Sequence, residues 1–216
     1  MSKVVSILNY GVGNIFSVSR AVEQCGAIAK LIGDPSSLRN AEHLILPGVG
    51  AFGNAMGSLT DGGFIEPIHK HVSDGKPLLG ICLGMQLLFT TSQELGEYHG
   101  LGLIEGSVER IPSTRPGEKK RKVPHIGWSE VHYATSSSGS LYRGLPQRAY
   151  FYFIHSFHAV PKDPGVTSTL TKYENLFITA SVERNNVFGC QFHPEKSGEL
   201  GLSVLKNFIY GVDCPT

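Results

Sequence analysis

Residues 77–86 read Pro77-Leu78-Leu79-Gly80-Ile81-Cys82-Leu83-Gly84-Met85-Gln86. Pro77–Ile81 is an apolar run of strand length, and a helical pattern starts near Leu83 and runs through Gln86, Leu87 and Phe89. A strand that turns straight into a helix, with glycine on either side of a cysteine, is the G-x-Nuc-x-G arrangement of a nucleophile elbow, with Cys in place of Ser. The turn crowds backbone against backbone and tolerates no Cβ at either glycine. A helix N-terminus favours the thiolate of Cys82, and the Leu83 amide is placed as an oxyanion donor. The pentapeptide alone fits an inert, buried cysteine at an ordinary strand–helix junction equally well.

Outward from this elbow, the first half of the chain alternates strands with helices. Residues 3–8, Ile28–Ile32 and His43–Leu46 have strand character. Ile15, Val18, Val22 and Cys25 share one face at helical spacing, Gly33–Ser36 is a turn, and a further helix is predicted around Phe64–Val72. This alternation predicts an α/β fold with a mostly parallel central sheet flanked by helices. The second half changes character. Val108–Ile111, Ser129–Tyr133, Tyr150–Ile154, Phe157–Val160 and Thr167–Lys172 are short β-like runs, which adds antiparallel strands. Ile178–Glu183 and Val187–Gln191 form a hairpin about Arg184-Asn185-Asn186. A last helix buries Leu202, Leu205, Phe208 and Ile209. With no internal repeat and no linker, residues 1–216 read as one domain.

Composition narrows the function. A 41% hydrophobic and 17% charged chain is a folded globular protein, long enough for its own core. A net charge of +1 argues against non-specific nucleic-acid binding. The only charge run, 113–122 with Arg115 and Lys119-Lys120-Arg121-Lys122, reads as a solvated loop. Cysteines at 25, 82, 190 and 214 form no CxxC pair, and the apolar run at the N-terminus is too short for a signal peptide. With no stretch of membrane-spanning length, the expectation is a soluble, cytoplasmic protein.

A cysteine nucleophile needs a base. Among nine histidines, His193 follows the predicted strand Val187–Gln191 and precedes Pro194-Glu195. There it can accept a thiol proton while Glu195 fixes its tautomer, although a lone histidine is more often structural. His125, His155 and His158 keep that structural reading, His69 and His71 fall on a helix surface, and no pair has metal-ligand spacing. Gly48-Val49-Gly50-Ala51-Phe52-Gly53 matches GxGxxG, but it follows the third strand, opens with Pro47 and lacks a strand-end acid. Gly11-Val12-Gly13-Asn14 has neither a third glycine nor a Walker lysine, so no nucleotide cofactor is indicated.

Taken together, Gly80–Gln86 and Gln191-Phe192-His193-Pro194-Glu195-Lys196-Ser197 resemble the two signature segments of the class I glutamine amidotransferases, and Pro47-Gly48-Val49-Gly50 resembles that family's oxyanion strand. Asn9–Asn14, Pro124-His125-Ile126-Gly127-Trp128 and Phe151–Ser156 are similar to the glutaminase-subunit family of imidazole glycerol phosphate synthases. That family usually has Asp where this chain has Asn9, and 113–122 reads as an extension.

The resemblance implies a flavodoxin-like fold and hydrolysis of glutamine to glutamate and ammonia. Cys82 would be the nucleophile, His193 the acid and base, and Glu195 its orienter. Amides of Val49 and Leu83 would form the oxyanion hole after a turn of the Val49 peptide. Gly50, Gln86, Glu94 and Ser156 would hold the glutamine, with no cofactor and no metal. It also implies a partner: a separate (β/α)₈-barrel cyclase subunit that consumes the ammonia in a heterodimer, docked on a face including Asn14, Trp128, Tyr152 and Lys196. Trp128, Tyr152 and Lys196 are each equally open to ordinary packing. Two other activities stay open, a stand-alone Cys–His γ-glutamyl hydrolase or peptidase and a paralogue that feeds ammonia to a sugar amidotransferase of surface-polysaccharide synthesis. A non-catalytic scaffold is a third.

Overall fold

The structure, a computed structural model, describes residues 2–113, 121–134 and 140–212. Most of the basic run 113–122, and Cys214, lie outside these residues.

Five strands build the parallel half of the large sheet: β1 (Val4–Leu8), β2 (Ile28–Ile32), β3 (His43–Gly48), β4 (Leu78–Cys82) and β13 (Val187–Cys190). They lie in the order β2-β1-β3-β4-β13 and are parallel throughout. The sheet continues antiparallel through β12 (Leu176–Arg184), β11 (Thr167–Tyr173), β8 (His125–Tyr133) and β9 (Ala149–His155). Asn185-Asn186 forms the tip of the β12–β13 hairpin, where Arg184 pairs with Val187 and Asn185 takes φ +54°. A smaller sheet contains β10 (Phe157–Pro161), β7 (Ile104–Arg110), β5 (Phe89–Ser92) and β6 (Tyr98–His99), in that order. The expected architecture, parallel with antiparallel additions, is the one observed.

Alternation along the central strands sends side chains to two cores, as the period-2 pleat requires. Ile45, Leu79, Ile81 and Phe188 pack on one face with α1 (Ile15–Gln24) and α5 (Gly198–Gly211). Leu44, Leu46, Leu78 and Val187 pack on the other with α2 (Phe52–Asp61), α3 (Ile65–Ser73) and α4 (Leu83–Leu87). On α5, Leu205, Phe208 and Ile209 are fully buried, whereas Leu202 is half-buried against the same core.

Several expectations need correction. The helix after Cys82 ends at Leu87, and Phe89 already belongs to β5. Its terminal carbonyls leave the helix ladder for the small sheet and the loop leading into β7: Leu87 O accepts from Leu101 N and Leu88 O from Ile104 N. Helix α2 has no counterpart in the sequence pattern. His71 is buried rather than on a surface, with Nε2 against Pro77 O at 3.0 Å. Arg121 of the basic run is buried too, and its guanidinium donates to Pro112 O.

Candidate active site

The carboxyl ends of β1, β3, β4 and β13 meet at one edge of the parallel sheet, where open α/β sheets place their ligands. Cys82 ends β4 and begins α4 at φ +54°, ψ −109°, a conformation that costs a side-chain-bearing residue about 1–3 kcal/mol. The surroundings enforce it. A Cβ on Gly84 would lie 1.8 Å from the Leu46 carbonyl oxygen, and one on Gly80 would lie 2.5 Å from Gly84 O. Only glycine at these two places lets α4 seat directly on β3 and present the thiol at the sheet edge.

His193 comes from the neighbouring strand. Leaving β13, the chain enters a one-turn 3₁₀ helix at Pro194–Lys196. His193 N–H donates to Tyr152 O at 2.9 Å. Ser197 Oγ donates to His193 O at 2.6 Å and accepts from Tyr152 N–H at 3.0 Å. His193 is thereby strapped to β9 by main-chain groups and one hydroxyl. Its Nδ1 meets Glu195 Oε1 at 2.7 Å, with both side chains almost fully buried. Nε2 is buried and makes no other hydrogen bond among the described residues, which leaves it for Cys82. Burial by itself disfavours the imidazolium. The Cys82 sulfur and the Glu195 carboxylate outweigh it and raise the His193 pKa to about 10.

These groups open on a cavity of about 370 Å³, a size suited to a small molecule. Val49, Gly50, Cys82, Leu83, Gln86, Glu94, Ser156, His193 and Lys196 all line it. The candidates for nucleophile, base, oxyanion donors and glutamine contacts are therefore brought to one place. Glu94 has a further duty: its Oε2 accepts from Phe52 N at 2.8 Å and caps α2. Gln86 is buried, and its Nε2 donates to Phe157 O at 3.0 Å and to Gln191 Oε1 at 2.9 Å, so only Oε1 is left for a ligand. The third glycine of the GxGxxG match serves packing, since a Cβ on Gly53 would fall 2.6 Å from the Tyr98 ring.

The remaining candidates lie outside the cavity lining. Asn14 caps α1. Trp128 is exposed, pairs in register with Tyr152 across β8 and β9, and meets its ring edge-on at 6.3 Å. Ile126, Tyr150 and Ile154 are exposed on the same strands. Asn9 is exposed at the end of β1. Sequence reasoning missed three contributors. Tyr10 donates its hydroxyl to Pro47 O at 2.7 Å and pins the strand that leads to Val49. Gln191 contacts Cys82 Sγ, and Ser197 straps His193. The last two lie within the quoted segment 191–197, but nothing in its spacing distinguishes them. Among the described residues, no three His, Cys, Asp or Glu side chains gather as a metal site.

A sheet-edge elbow cysteine beside a carboxylate-held histidine is the arrangement of a class I glutamine amidotransferase, and the family model for glutamine amidotransferase class-I matches residues 6–212. The chain belongs to this family. It is 45% identical over 210 residues to imidazole glycerol phosphate synthase subunit HisH 1 of Legionella pneumophila (strain Lens), covering 95% of this chain and 98% of that one. It is 44% identical over 206 residues to subunit HisH of Syntrophotalea carbinolica, with coverage of 95% and 98%. Among solved structures, PurLQS from Thermotoga maritima shares the fold at a TM-score of 0.76 and 20% identity, covering 99% of this chain and all of that one. A glutamine amidotransferase crystal structure does so at 0.72 and 22%, covering 96% and 99%.

Proposed function

We propose that this chain, acting as one domain, is the glutaminase subunit of an imidazole glycerol phosphate synthase. The reading is carried by nearly full-length identity of about 45% to relatives of that name, joined to Cys82 and His193 on one pocket with Glu195 buried behind the imidazole. With its pKa raised to about 10, His193 holds a proton at neutral pH beside Cys82, whose thiolate is the attacking form. Cys82 Sγ attacks the side-chain amide carbon of glutamine, and the N–H groups of Leu83 and Val49 take up the oxyanion. His193 Nε2 gives its proton to the leaving nitrogen, the C–N bond breaks, and ammonia departs from a γ-glutamyl thioester. The neutral imidazole then takes a proton from water, whose oxygen displaces the thiolate and releases glutamate. Glu195 keeps Nδ1 protonated throughout. Gln86 Oε1, Glu94, Gly50 and Ser156 hold the amino-acid head group.

The ammonia goes to a separate cyclase subunit, a (β/α)₈ barrel in a heterodimer, where it enters imidazole glycerol phosphate and an aminoimidazole carboxamide ribotide in histidine biosynthesis. Supporting this is the apolar, aromatic surface of Ile126, Trp128, Tyr150 and Ile154 beside the pocket, a composition suited to docking. Asn14, Tyr152 and Lys196 complete that face. No described helix is long and apolar enough to cross a membrane. The setting belonging to this proposal is the cytoplasm. The test is ammonia release from glutamine by the chain alone, then with such a cyclase and its nucleotide ligand. A low basal rate that rises by orders of magnitude with both supports the reading. A high rate indifferent to the cyclase assigns the chain to an independent hydrolase.

A further inference from the structure

The nucleophile has a second polar neighbour besides its base. Gln191 Nε2 donates to Cys82 Sγ at 3.7 Å, and Gln191 is completely buried. A third neighbour, the Ile154 carbonyl, lies 3.9 Å from the sulfur; it can accept from a thiol but only repels a thiolate. Gln191 is the contact that improves when the proton leaves, because a donor to sulfur favours the charged form.

Which end of the Gln191 amide faces the sulfur is decided by its neighbours. Its Oε1 accepts from Gln86 Nε2, and the same Gln86 nitrogen donates to Phe157 O. A main-chain carbonyl can only accept, so Gln86 must present N–H there, and Gln191 must present oxygen to Gln86 and N–H to Cys82. The carbonyl is held from its other side as well. His155 Nδ1 donates to it at 2.8 Å, His155 Nε2 accepts from His125 Nδ1 at 2.9 Å, and His125 Nε2 accepts from Ser129 Oγ at 2.8 Å. Burial keeps both rings neutral, with pKa values lowered to about 3 for His155 and about 4 for His125, which preserves these tautomers. The donor and acceptor of every hydrogen bond from Ser129 and from Gln86 are thus fixed, and the Gln191 donor is left facing sulfur.

We infer that Gln191 is a positioning residue for the nucleophile: its side-chain amide steadies the Cys82 thiolate, oriented by Gln86 and the Phe157 carbonyl. This deepens the glutaminase reading and rests on it for its role in catalysis.

The test replaces Gln191 by Leu and by Met, which keep most of the volume and remove the donor, in the full chain. The rate of Cys82 alkylation by iodoacetamide is followed against pH, with Cys82→Ala as blank. We expect alkylation at neutral pH to slow by about tenfold or more, the worth of a hydrogen bond to a charged group, with the pH profile displaced upward. For glutamine hydrolysis, kcat falls by a similar factor while KM stays within about twofold. Folded variants with an unchanged alkylation profile overturn the proposal, whatever happens to kcat. Where neither variant folds, the unsubstituted chain decides: the Gln191 side-chain amide resonance should titrate together with the thiol and lose that step in Cys82→Ala. A resonance that does not move overturns the assignment. Alkylation requires no glutamine, so a wild-type chain that fails to hydrolyse glutamine removes the glutaminase reading and leaves the Gln191 test intact.

Discussion

At the scale of single residues, the roles proposed for Cys82, His193 and Glu195 make ordered predictions. Cys82→Ala is expected to abolish glutamine hydrolysis while the chain stays folded, with residual turnover below about one per cent of wild type. Turnover above that level would remove Cys82 as nucleophile. Glu195→Gln keeps a group near Nδ1 but loses the charge, so it should slow the reaction less than His193→Ala. Steady-state ammonia assays on both variants give the order, and the reverse order contradicts an orienting role. Cys82 and His193 are legible in the sequence because their flanks are chemically loud: two glycines around a cysteine after a strand, and a Pro-Glu after a strand-end histidine. Gln191 and Tyr10 are not, since an amide or a phenol gains meaning only from the group it faces, and those groups are 109 and 37 residues away.

At the scale of elements, the seating of α4 on β3 gives a stability test. Gly84→Ala would drive a methyl to 1.8 Å from Leu46 O, a main-chain atom, with no flexible side chain to yield. The expected loss is about 3 kcal/mol or more, read from urea unfolding. A loss under about 1 kcal/mol would show that the elbow relaxes freely. The strands of the parallel sheet are readable because their apolar runs hold at most one polar residue each, Ser6 in β1, Lys30 in β2 and His43 in β3. Helix α2 is not. Its segment carries Gly53, Asn54 and Gly57, all poor helix formers, and its N-cap residue Ala51 offers no side-chain acceptor. The acceptor comes from Glu94, 42 residues downstream, so the signal that starts this helix is tertiary. The short α4 has a similar origin, because its last carbonyls are claimed by the small sheet and the loop leading into β7 rather than by a local cap.

For the molecule as a whole, buried histidines shape the response to pH. His71, His125 and His155 have pKa values of about 4, 4 and 3, lowered first by burial from an unfolded value of about 6.5. Below about pH 6.5 the unfolded chain therefore binds protons that the folded chain refuses, and stability should fall as pH drops toward 4. His193 works in the opposite sense. Its raised pKa contributes stability that is complete below about pH 6.5 and is lost as pH climbs toward 10. Urea midpoints measured across this range should decline on both sides of neutrality, and a midpoint flat from pH 6.5 to 4.5 would contradict neutral burial of the three rings. On the proposed docking side, Trp128→Ala is expected to weaken association with the proposed cyclase partner by about tenfold or more, measured by calorimetry, with basal hydrolysis unaltered because Trp128 does not line the pocket.

The strap between His193 and Tyr152 has a consequence for how such a protein can vary over time. The bond from His193 N–H to the Tyr152 carbonyl is made by groups that every residue other than proline carries at its donor end. Drift in side chains at 152 can change the surface presented there without severing the tie to His193. A scan that swaps one side chain after another would find this connection silent. Only a chemical edit of the chain itself, such as an ester in place of the amide at 193, would expose it.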